Sequence, residues 1–195
     1  MKVETKGEGG RALLHRAASA GFLTLVNYLL SHGVDAKAPH DFGRTLLHSA
    51  AEGGLSALVE KLVACGANVN ARDDLGKTAL HLAAEAGRKD IVDMLIAKGA
   101  DMRAVCRDGR NLLHSAAAGG LVDLIARLVK DGFPLDGPDR YGRTSLLKAA
   151  EAGQYSAVEF LLSRGANVMA RDYYQQTPLH EAVFSGNLRL LDLLA

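Results

Sequence analysis

Five histidines, His15, His48, His81, His114 and His180, are the residues most suggestive of metal or proton-transfer chemistry. Their spacing argues against both. Neighbouring packed helices place such side chains roughly 10 Å apart, whereas the ligands of one zinc ion lie about 2 Å from a common centre. Nucleophilic catalysis needs a nucleophile, a base and an orienting group within hydrogen-bond reach, and the sequence offers no such constellation. Cys65 precedes a glycine at the end of a helix and reads as a small core or rim residue; Cys106 falls in a turn. Neither the Gly-x-Gly-x-x-Gly nor the Walker phosphate motif follows a strand. The expectation is therefore no catalytic residue, no metal site and no cofactor.

Two columns of charge remain. Arg11, Arg44, Lys77, Arg110 and Arg143, then Gln176, occupy one recurring position, and Glu52, Glu85 and Glu151 recur beside it. Like charges about 10 Å apart in water repel by only about 0.4 kcal/mol before screening. The basic column is thus cheap to carry, and it is either a solvated edge, partly neutralised by the acidic one, or a surface that receives an acidic partner. Aromatic residues make up only 5% of the chain. Phe42, Tyr141, Tyr173 and Tyr174 nevertheless gather immediately before a recurring glycine or its replacement Gln175. They either pack over the neighbouring turn or contact a partner, exposed aromatics being enriched in binding hot spots.

These positions recur because the chain repeats. Gly33, Gly66, Gly99, Gly132 and Gly165 step by 33 residues, as do Gly21, Gly54, Gly87, Gly120, Gly153 and Gly186, and Gly10, Gly43, Gly76, Gly109 and Gly142. Each unit reads as turn, helix, glycine, second helix, glycine. Thr45, Thr78, Asn111, Thr144 and Thr177 stand where a side-chain oxygen caps a first helix of about eight residues. The second helix carries apolar residues on one face, as in Leu58, Val59, Leu62, Val63 and Ile91, Val92, Leu95, Ile96 and Leu124, Ile125, Leu128, Val129. Paired alanines, Ala50-Ala51, Ala83-Ala84, Ala116-Ala117 and Ala149-Ala150, let neighbouring first helices approach. Isolated helices this short are marginal, so burial comes from stacking and no unit folds alone.

The segment Gly76-Lys77-Thr78-Ala79-Leu80-His81-Leu82-Ala83-Ala84 resembles the Gly-x-Thr-Pro-Leu-His-x-Ala-Ala signature of ankyrin repeats, and Gly66-Ala67-Asn68-Val69-Asn70 resembles their downstream element. The resemblance covers about residues 10 to 195. It implies an all-α solenoid of stacked helix-turn-helix units with short β-hairpin-like fingers, in which the histidine ties the turn. The domain would span 1–195, with units at approximately 7–39, 40–72, 73–105, 106–138, 139–171 and an incomplete 172–195. Proline stands at the first helical position only as Pro178, Leu147 replaces a histidine, and Gln175 replaces a finger glycine; such degeneracy is typical of natural repeats.

The expected function is noncatalytic binding of a protein or peptide on the concave face of fingers and first helices. Candidate contacts are Arg44, Lys77, Arg110, Arg143, Phe42, Tyr141, Tyr173, Tyr174, Glu52, Glu85 and Glu151. Alternative readings are a regulatory or docking fragment of a larger enzyme or channel, favoured by the apolar Leu190, Leu191, Leu193 and Leu194, and an engineered ankyrin binder. A net charge of +1 gives no general attraction to nucleic acid. No stretch reaches the roughly 20 apolar residues of a membrane span, and Met1 to Gly10 lacks the apolar core of a secretory signal. Two cysteines are too few for a disulfide framework. A monomer in the cytoplasm, or the nucleus, is expected.

Overall fold

The computed structural model describes residues 7–36 and 39–195. The polar start, Met1 to Lys6, and Lys37 and Ala38 of the first expected unit lie outside the described residues. The chain falls into two compact units, Met1–Met102 and Arg103–Ala195. The first contains α1 (Glu8–Ser19), α2 (Leu23–Ser31), α3 (Leu46–Gly53), α4 (Ser56–Ala64), α5 (Ala79–Glu85) and α6 (Lys89–Ala97). The second contains α7 (Leu112–Ala118), α8 (Val122–Lys130), α9 (Ser145–Glu151), α10 (Tyr155–Ser163), α11 (Pro178–Ser185) and α12 (Leu188–Leu194). This is the all-α repeat pattern of the solenoid class.

Within each unit, first helices pack on first helices: α1 on α3 and α3 on α5, then α7 on α9 and α9 on α11. The alanine pairs make this possible. Ala50, Ala51, Ala83, Ala84, Ala116, Ala117, Ala149 and Ala150 are all fully buried. The second helices close each pair with their apolar face, Leu58 and Val59, Ile91, Val92 and Leu95, and Leu124, Ile125 and Leu128 being buried. The fourth residue of each run, Val63, Ile96 and Val129, is only half-buried.

The expected caps form. Thr45 Nα–H donates to His48 Nδ1 at 3.1 Å, which leaves Nε2 as the protonated nitrogen. That nitrogen lies 3.1 Å from the Lys77 carbonyl and donates to it. His114 likewise joins Asn111 to the Arg143 carbonyl. His81 and His180 pair with Thr78 and Thr177. In α9, where Leu147 replaces the histidine, Thr144 Oγ1 still accepts the Leu147 N–H at 3.4 Å.

Three expectations are corrected. Gly10 and Arg11 do not belong to a finger, because α1 begins at Glu8 and runs for 12 residues. Ala12 stands where the other first helices have a capping oxygen, so nothing stops the helix from extending backwards. His15 therefore ties no turn: its Nδ1 meets Ser49 Oγ at 2.9 Å instead. At the other end Leu190 and Leu194 are buried and Leu191 and Leu193 half-buried, while the exposed apolar side chains are Leu179, Val183, Phe184 and Leu188.

Candidate finger surface and its relation to known proteins

Each finger is a tight turn closed by few backbone bonds. Asp73 N–H donates to the Lys77 carbonyl at 2.9 Å, and Cys106, Asp139 and Asp172 do the same to Arg110, Arg143 and Gln176. Only His40 and Arg44 form a β-bridge among the described residues, so the fingers are hairpin-like in direction rather than in ladder length. In three fingers an aspartate three residues before the finger glycine, or before Gln175 in its place, locks the turn. Asp73 Oδ1 accepts from Leu75 and Lys77, Asp139 Oδ1 from Tyr141 and Arg143, and Asp172 Oδ1 from Tyr174 and Gln176. These are Asx turns, in which a side-chain oxygen replaces a backbone acceptor. The candidate set omits these aspartates, although the 33-residue step between Asp139 and Asp172 marks them.

In the first unit the basic and acidic candidates meet in pairs. Arg44 Nη1 donates to Glu52 Oε2 at 2.9 Å, and Lys77 Nζ to Glu85 Oε2 at 2.6 Å. In the second unit Arg143 Nη1 lies 3.9 Å from Glu151 Oε2 and its Nε 3.3 Å from Asp139 Oδ2. Lys148, which was not singled out, also reaches Glu151. Arg110 turns to Asp108 in its own finger, with Nε donating at 2.6 Å, because Ala118 stands where a first-helix glutamate would. Partly exposed pairs of this kind are worth up to about 1 kcal/mol each. Breaking one to form a contact with a partner is therefore inexpensive.

The aromatic candidates are presented outward. Phe42, Tyr173 and Tyr174 are 72%, 72% and 73% exposed, and Tyr141 is 44% exposed. Tyr141 is steadied by the Arg143 guanidinium, 5.0 Å from its ring centre. Tyr173 both donates its N–H to the Tyr141 carbonyl at 2.9 Å and lays its ring on the neighbouring finger, where a Cβ on Gly142 would meet it at 2.9 Å. Packing against the next turn and exposure to a partner thus coexist. Phe42 (φ 61°) and Gln175 (φ 63°) are the two non-glycine residues with positive φ among the described residues. Such a backbone costs a side chain about 1 kcal/mol. Gln175→Gly is accordingly expected to stabilise the second unit by about 1 kcal/mol, measurable as a higher urea midpoint.

The ankyrin repeats family, described as three copies, matches residues 14–106 and 95–172. The chain belongs to the ankyrin repeat family. Ankyrin repeat proteins are typically noncatalytic protein-interaction modules. No curated protein matched the chain. Among the described residues of this ankyrin protein, no helix is long and apolar enough to cross a membrane.

Proposed function

We propose that this ankyrin repeat protein is a noncatalytic interaction module that binds a protein partner through its finger tips and the adjoining ends of its first helices. The observation carrying this reading is the outward display of Phe42 in the first unit and of Tyr141, Tyr173 and Tyr174 in the second, the tyrosines on fingers held by aspartate turns. Aromatic side chains of this kind supply binding energy at small entropic cost when the backbone beneath them is preformed. Arg44, Lys77, Glu52 and Glu85 in the first unit, and Arg110, Arg143 and Glu151 in the second, are the polar residues beside these fingers. Their internal ion pairs suit them to orienting a partner rather than to supplying most of the affinity.

The test is the variant Tyr141→Ala/Tyr173→Ala/Tyr174→Ala. A partner retained by the wild-type chain is expected to bind it roughly 30-fold more weakly, about 2 kcal/mol, with unchanged helical circular dichroism. Equal affinity for the variant contradicts the reading, and loss of helix content assigns the tyrosines to packing instead.

A further inference from the structure

Within the first unit, fingers and first helices enclose a cleft of about 880 Å³ whose lining includes His15, Arg16, His40, Phe42, Asp73 and Arg88. Two of its polar atoms are unusual. His15 is 3% exposed and Asp73 4% exposed, yet His15 Nε2 and Asp73 Oδ2 have no hydrogen-bond partner. Buried polar atoms are nearly always paired.

His15 lacks the capping oxygen that engages Nδ1 elsewhere, so Nδ1 goes to Ser49. The Arg44 carbonyl, the counterpart of the one that His48 Nε2 reaches, accepts the His40 N–H at 2.8 Å and makes no bond to His15. Asp73 Oδ1 closes its turn. Its Oδ2 lacks the close arginine that Asp139 has in Arg143, because Lys77 turns to Glu85 and Arg44 Nε remains 3.7 Å away.

The charge around these atoms is also divided. Arg44 is engaged by Glu52, and Asp41 lies 3.6 Å from His40 Nε2. Arg16 and Arg88 are exposed and have no carboxylate partner among the described residues, Arg88 Nε donating only to the Glu52 carbonyl at 3.2 Å. The exposed apolar side chains of Phe42 and Leu75 stand on the finger side of the same cleft.

We propose that this cleft anchors an extended acidic segment of a partner protein. A carboxylate of the segment sits against Arg16 and Arg88, an N–H of the segment donates to Asp73 Oδ2, and His15 Nε2 supplies a further hydrogen bond. An apolar neighbour in the segment covers Phe42 and Leu75. Charge-assisted bonds of guanidinium to carboxylate give both strength and direction. The inference rests on the interaction reading above and specifies the partner chemistry it requires in the first unit.

Selection of a random peptide library displayed on phage against the intact chain tests it. Enriched peptides are expected to carry Asp or Glu beside an apolar residue. Measured by fluorescence polarisation, they should bind roughly ten-fold more weakly to Arg16→Glu/Arg88→Glu and to Asp73→Asn, which keeps an oxygen for the turn. Replacing the peptide's own acids by amides should weaken binding to the wild-type chain equally, a result independent of how any variant folds. Neutral or basic enriched peptides, equal affinity for the variants, or no enrichment at all would each overturn the cleft proposal. Peptides that bind the variants normally but lose affinity for Tyr141→Ala/Tyr173→Ala/Tyr174→Ala would overturn it while leaving the finger-surface reading intact.

Discussion

Replacing Gly53 by alanine is expected to destabilise the protein by about 3 kcal/mol, read as a lower urea midpoint followed by circular dichroism. Gly53 is the last residue of α3, and a Cβ there would lie 1.8 Å from the Ala18 carbonyl oxygen and 2.9 Å from its carbon. Both are backbone atoms, so no rotamer change relieves the overlap. Either α1 must withdraw from α3 or the end of α3 must unwind. In an exposed helix interior the same substitution would gain about 1 kcal/mol, so the sign of the result distinguishes contact from propensity. A change of less than 0.5 kcal/mol, about the error of such comparisons, would show that α1 and α3 do not approach this closely.

Acidification below pH 6.5 should remove a similar amount through the buried histidines. Burial, reinforced by the nearby His40, pulls the His15 pKa down from 6.5 to about 4. Burial also lowers those of His48 and His114, against partial compensation from the Lys77 and Arg143 carbonyls respectively. Between pH 6.5 and 4 the unfolded chain binds a proton at His15 and the folded chain does not, and His48 and His114 take up their protons at lower pH folded than unfolded. Stability therefore is fully present above 6.5 and falls as the pH drops towards the folded values. For His15 alone the loss is about 3 kcal/mol by pH 4. The raised pKa of Glu181, caused first by burial and then by Glu151 and Asp172, opposes this weakly. Urea midpoints at pH 7, 5.5 and 4.5 should fall steadily, and His15→Phe should flatten the slope. A pH-independent midpoint in the wild-type chain would show that His15 is solvated enough to titrate normally.

Much of this was readable from residue types. A 33-residue glycine register, an oxygen at position 45 and its equivalents, and alanine pairs each impose a local geometry that tertiary packing reinforces. The helix pairs consequently lie where expected. The recurring charged positions are visible in the sequence, but not the choice between neighbours: Arg44 turns to Glu52, Arg110 to Asp108 in its own finger, where Ala118 replaces the glutamate, and Arg143 to Asp139 although Glu151 is present, because Lys148 engages Glu151. The first unit was misread because Gly10 fits the finger register by spacing alone. Spacing carries no information about Ala12, whose missing oxygen lets α1 extend and releases His15. Equally hidden was the close approach at Gly53, which is set by a backbone carbonyl and has no side-chain pattern to announce it. The aspartate turns were within reach of the sequence, since Asx turns have a fixed local spacing, yet the charged columns beside them carry the stronger repeat.

We propose the finger tips and first-helix ends as the binding surface of this ankyrin repeat protein. Hydrogen–deuterium exchange of the chain alone and in complex with a captured partner tests it most directly. Slowed exchange on complex formation is expected in the fingers around Phe42, Tyr141 and Tyr173, with α4, α6, α8 and α10 unchanged. Protection confined to those second helices, with finger amides exchanging as in the free chain, would contradict it.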